Sequence, residues 1–117
     1  MNVIGPLIQF QQQLRIFHWQ TDSYAQHKAF GKIYESLDPL VDSFVETYMG
    51  KFGRAKPTLT YHIELKSLSS NNVNDVVDGF KGYLEAMSNE NLSTDLLNIR
   101  DSILGEVHTL QYLLSLK

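Results

Sequence analysis

Four side chains in the first half of the sequence have the types and spacing to hold a divalent cation: His18, His27, Asp42 and Glu46. Asp42 and Glu46 are four residues apart, so on a helix both carboxylates project from one face. Two imidazoles and two carboxylates form a borderline-hard donor set suited to iron, manganese or zinc. Carboxylates at that spacing also decorate solvated helix faces, and a helical histidine is more often structural, so the four residues alone leave both readings open. Other candidates have less company. Glu106 and His108 are two apart and point to different sides of a helix, so they cannot chelate together. His62 and Glu64 fall in a stretch without helical periodicity, and surface roles are expected for both. Lys51, Arg54 and Lys56, with Phe52 among them, read as a solvated basic loop. No phosphate loop, dinucleotide fingerprint or nucleophile elbow is present. With no cysteine, thiolate metal sites and disulfide frameworks are excluded.

The elements that must position these residues are helical. Pro6 suits a first helical position, and Leu7, Phe10, Leu14 and Phe17 step by three and four to about Gln20. A second helix is expected from about His27 to Tyr48, with Phe30, Ile33, Leu37, Val41, Phe44 and Tyr48 as its inner stripe and Gly50 and Gly53 as stops. Pro39 either lies inside that helix or, with Asp38 as cap, begins a new one; the unbroken phase of the stripe favours one helix. From Lys51 to Asn71 the periodicity lapses. Thr58 to Leu65 alternates somewhat like a strand, but nothing else in the chain offers a partner strand, so an extended crossover is expected. A third helix follows Asn72, with Val73, Val76, Val77, Phe80, Leu84 and Met87 on one face. A fourth begins near the cap Ser93 and carries Leu96, Ile99, Ile103, Val107, Leu110 and Leu114. The expected fold class is all-α: a single domain over residues 1–117, built as a ferritin-like four-helix bundle with one long crossover.

His18-Trp19, then His27, Asp42 and Glu46, with Gly50 after Met49, resembles the family of DNA-binding proteins from starved cells (Dps), a bacterioferritin-like branch of the ferritin superfamily. Leu7-Ile8-Gln9-Phe10-Gln11 through His18-Trp19 is similar to that family's first helix. Asn72 to Met87 looks like a shortened third helix, and Ser93 to Leu116 like the last. The resemblance implies an iron site at which Fe(II) is oxidised by peroxide or dioxygen for storage or detoxification, a ferroxidase activity, within a self-assembled oligomer. It implies His18 and His27 as ligands from one subunit, Asp42 and Glu46 as ligands from its mate, and Trp19 beside the site, where an aromatic ring can quench oxidising species. Gly31 stands where the family generally has a further acidic residue, so weakened or single-metal chemistry is expected, with Gly31→Asp strengthening it. The segment between the histidines is shorter than usual, and the family's lysine-rich N-terminal tail is missing.

Spacing along the second helix supports a shared site. Fifteen residues separate His27 from Asp42, about 22 Å on a continuous helix, so one metal cannot touch both within a chain. They lie only about 60° apart around that helix, so an antiparallel partner crossing near Tyr34 would bring His27 of one chain to Asp42 and Glu46 of the other, twice per homodimer.

Composition sets the remaining expectations. With 43% hydrophobic and 20% charged residues the chain is ordinary globular material. A net charge of −3 argues against nucleic-acid binding through bulk electrostatics. The opening Met-Asn-Val-Ile-Gly-Pro lacks the features of a signal peptide, and no apolar run is long enough to span a bilayer; no membrane association and a cytoplasmic location are expected. The rival functional expectation is a ferritin-like bundle without catalysis, serving as a structural or interaction module.

Overall fold

Helix α1 (Ile4–Gln20) starts two residues ahead of Pro6, because the Asn2 side chain accepts the Gly5 N–H at 3.2 Å. Pro6 then occupies the first turn, where a missing N–H costs nothing. After a three-residue turn, α2 (Tyr24–Phe52) begins earlier than its stripe suggested, since Ser23 caps it by accepting the Gln26 N–H. The computed structural model describes residues 2–56 and 60–116; of the Thr58–Leu65 alternation, Thr58 and Leu59 lie outside the described residues. The crossover leads to α3 (Ser70–Ala86), capped by Ser69 accepting from the Asn72 N–H, and a short 3-10 turn (Met87–Asn89) precedes α4 (Thr94–Ser115). Ser93 occupies the cap position of α4, but its hydroxyl donates to the Asp95 carboxylate rather than accepting a backbone N–H. The chain is an all-helical bundle, with no strand among the described residues.

Pro39 lies inside α2, which runs through it without a break. Pro39 is exposed, as is Glu35, whose carbonyl loses its usual N–H partner; that carbonyl can turn to water. Asp38 therefore caps nothing and instead accepts from Gln11 of α1 at 3.3 Å. At its far end α2 stops at Gly53, whose φ of 96° favours glycine and whose N–H returns to the Met49 carbonyl. The molecule's longest dimension, 43 Å, is the length of this one helix.

The neighbouring pairs are α1/α2, α2/α4, α4/α3 and α3/α1, a ring in which α1 faces α4 across the core. Direction follows from two contacts. Leu68, just before α3, donates to Gln20 at the end of α1, and Tyr83, late in α3, donates to the Asn2 carbonyl at its start. So α3 runs antiparallel to α1, and the crossover carries the chain along the full bundle. The expected inner stripes meet in one core: Leu7, Leu14, Phe17, Phe30, Ile33, Leu37, Phe44, Leu84, Met87, Leu96, Ile103, Val107 and Leu110 are fully buried. Phe10 of α1 stacks on Phe80 of α3 with ring centres 4.0 Å apart. Tyr48, Val73, Val76, Ile99 and Leu114 sit half-buried at the rim.

The crossover is held by glutamines. Gln9 accepts the Glu64 N–H, Gln13 accepts the Lys66 N–H and donates to the Lys66 carbonyl, and Gln20 accepts the Leu68 N–H. Four residues of helix rise about 6 Å and two residues of extended chain advance about 6.8 Å, so side chains one turn apart can serve alternate amides. Gln13 is 1% exposed and does for Lys66 what a neighbouring strand would do. Arg100 of α4, also buried, donates to the Leu84 carbonyl and the Ser88 hydroxyl and pairs with Asp101, tying the end of α3 to α4. Among the described residues no helix is long and apolar enough to cross a membrane.

Candidate metal-binding site

The turn between α1 and α2 places His18, near the end of one helix, against His27, in the first turn of the next. The two rings stack, centres 3.8 Å apart and planes 17° from parallel. Each Nδ1 reaches the main-chain carbonyl of the other residue, His18 to His27 at 2.7 Å and His27 to His18 at 2.9 Å. A carbonyl oxygen can only accept, so each Nδ1 carries a proton, and in the neutral form of the ring the lone pair is on Nε2. That is the arrangement in which metal-ligating histidines are normally fixed. Both rings are half-buried.

Gly31, one turn beyond His27, forms the floor under His18. A Cβ there would lie 2.9 Å from Cε1 and 3.0 Å from Nδ1 of the ring. This contact bears on the expectation that an aspartate at 31 would strengthen the site: the His18 ring or the backbone must shift to admit any side chain there. The close approach that glycine permits is between α1 and α2 of the same chain.

Asp42 and Glu46 are exposed and adjacent on α2. A hydrogen bond with Asp42, and then the negative charge of Asp42, hold the Glu46 carboxyl above its ordinary range. Two carboxylates this close repel, and a cation or proton between them relieves the repulsion. The histidine pair and the carboxylate pair do not meet within one chain. Among the described residues no group of three or more His, Asp or Glu side chains could hold a metal ion.

Trp19 is 63% exposed, and the Arg15 guanidinium lies 5.4 Å from its ring centre and 4.5 Å from that of Tyr34. This Trp19–Arg15–Tyr34 arrangement was not anticipated, although Arg15 and Trp19 stand at i and i+4. His62, Glu64 and His108 are exposed and Glu106 is half-buried, and none joins the histidine or carboxylate pair. Lys51, Arg54 and Lys56 are all exposed.

Residues 18–114 match a family described as "Family of unknown function (DUF5856)", a stretch that holds all four candidate ligands. The "Uncharacterized 14.6 kDa protein in mobD-ri intergenic region" of Enterobacteria phage T4 is 30% identical over 115 residues, covering 97% of this chain and 86% of that protein. No solved structure matches the chain. Because the matched stretch takes in α2, α3, α4 and the end of α1, the chain belongs to the DUF5856 family.

Proposed function

We propose that this protein is a ferritin-like, Dps-like iron-binding protein in which His18 and His27 of one subunit and Asp42 and Glu46 of its mate hold Fe(II) as substrate for oxidation. The observation that carries the reading is the reciprocal bonding of the histidines, which leaves a lone pair on the Nε2 of each of two adjacent, half-buried rings. Two further features support it. The carboxylate pair holds a raised Glu46, as expected of a site that gains from a cation. A four-helix arrangement with one bundle-length crossover is a feature that ferritin-like bundles share.

The residues fit the ion. Nitrogen and carboxylate donors in equal number suit iron(II) and also admit manganese or zinc. The protein's part is to hold the donors still: backbone carbonyls orient the imidazoles, and Gly31 keeps the His18 ring in place. Peroxide or dioxygen would take the electron that Fe(II) loses. The dimer is required because α2 is one continuous helix, which keeps His27 and Asp42 about 22 Å apart within a chain.

The deciding experiment adds Fe(II) to the tag-free protein and measures bound iron and ferric absorbance. Neither His27→Ala nor Glu46→Ala should bind iron alone, and mixing them under subunit exchange should restore one site in two. No recovery with exchange confirmed would defeat the shared site. No iron bound by the wild type would favour the non-catalytic module, a reading consistent with Gly31 standing where a further carboxylate was expected.

A further inference from the structure

We infer that the crossover presents an open strand edge that pairs antiparallel, about Leu65, with the same segment of a second copy of this chain. One edge of this extended segment is occupied: the N–H groups of Glu64, Lys66 and Leu68 all go to glutamines of α1. In an extended chain the amides between them point the opposite way. Among the described residues, nothing bonds the main-chain N–H or carbonyl of Ile63 or Leu65. An edge with free donors and acceptors is a template for another strand.

The side chains say which strand. Tyr61, Ile63 and Leu65 are 41%, 39% and 42% exposed, an alternating apolar row on one face of the segment. On the other face are Glu64 and Lys66, neither in an ion pair; Arg100–Asp101 is the one such pair among the described residues. Antiparallel pairing centred on Leu65 sets Leu65 opposite Leu65 of the second copy, in register with the free amides. It sets Glu64 opposite Lys66 of the second copy and the reverse, two complementary contacts from one twofold axis. Along the apolar row only Leu65 then meets its own copy, and Ile63 stands opposite Ser67 of the second copy. Centring on Ile63 would set Tyr61 opposite Leu65 instead, but it would place Glu64 against His62 and lose both lysine contacts. The segment thus carries its own complement, and a second copy is the occupant it fits. This edge belongs to the crossover and not to the α1–α2 corner that carries the proposed iron site, so the two readings fail separately.

The chain has no cysteine, which permits a register-specific test on the full-length, metal-free protein. Leu65→Cys should form a disulfide-linked dimer under mild oxidant at micromolar concentration, at least ten-fold faster than Tyr112→Cys, a control on α4 at a position more exposed than Leu65. By sedimentation, Glu64→Lys should weaken this association ten-fold or more, and Glu64→Lys with Lys66→Glu should restore it. Leu65→Pro, which removes an outward amide, should abolish it with the helical circular dichroism unchanged. The inference is overturned if Leu65→Cys links no faster than the control, if Ile63→Cys links in its place, or if the double charge swap fails to restore association.

Discussion

Gly31 of α2 and His18 of α1 are in contact across the helix pair, so close that a Cβ on residue 31 would come within 2.9 Å of the imidazole. The ring has little freedom to retreat, being stacked on His27 and bonded through Nδ1 to the His27 carbonyl. Gly31→Ala is therefore expected to displace His18 and lower iron affinity about ten-fold or more, the scale seen when a ligand's supporting contact is lost. Gly31→Asp should do the same despite its added carboxylate. Tighter iron binding by Gly31→Asp, measured by titration, would show that the ring moves freely.

Asp42 controls the protonation of Glu46. Its hydrogen bond and charge raise the Glu46 pKa, so Asp42→Asn should bring that value down, observable by NMR titration of the Glu46 carboxyl. The sign follows. A carboxyl whose folded pKa is raised by a like-charged neighbour contributes most below its unfolded pKa, and that contribution is lost as pH rises through the folded value. A bound cation removes the repulsion, so iron affinity should rise with pH through the Glu46 titration.

Gln13 substitutes for a strand by bonding both main-chain groups of Lys66. Gln13→Leu keeps the bulk and removes both bonds, and should cost about 2 kcal/mol in urea denaturation. Hydrogen exchange at the Lys66 amide should accelerate more than at Leu68, which Gln20 holds.

Arg100 is buried, with Nε donating to Asp101 and Nη1 to the Leu84 carbonyl and Ser88. Arg100→Met should destabilise the fold by about 2 kcal/mol, because it leaves the end of α3 unheld. A change within 0.5 kcal/mol, taken as about the range of an ordinary surface substitution, would refute that role.

Gly79 and Gly82 lie in α3 with open space where a Cβ would go. Alanine at either should stabilise the protein by about 0.5–1 kcal/mol, read from the denaturation midpoint, since nothing in the fold requires the glycine.

The helices were legible in the sequence because their signal is local and periodic. Leu7 to Phe17, Phe30 to Phe44 and Leu96 to Leu110 each repeat apolar residues at the helical period, and each stripe lies in the core. The pairing of Asp42 with Glu46 was likewise local, four residues on one helix. What required the tertiary structure were contacts between separate elements. Nothing in the sequence tells that His18 and His27 bond each other's carbonyls, since that depends on the angle and offset at which α1 and α2 pack. Gly31 looked like a missing ligand and is instead a seat for His18, because a glycine's role depends on what approaches it. That Gln9, Gln13 and Gln20 hold main-chain amides depends on where the crossover lies against α1. Local chemistry determined which segments became helices and which faces they buried; the long-range packing of those helices decided which polar side chains met.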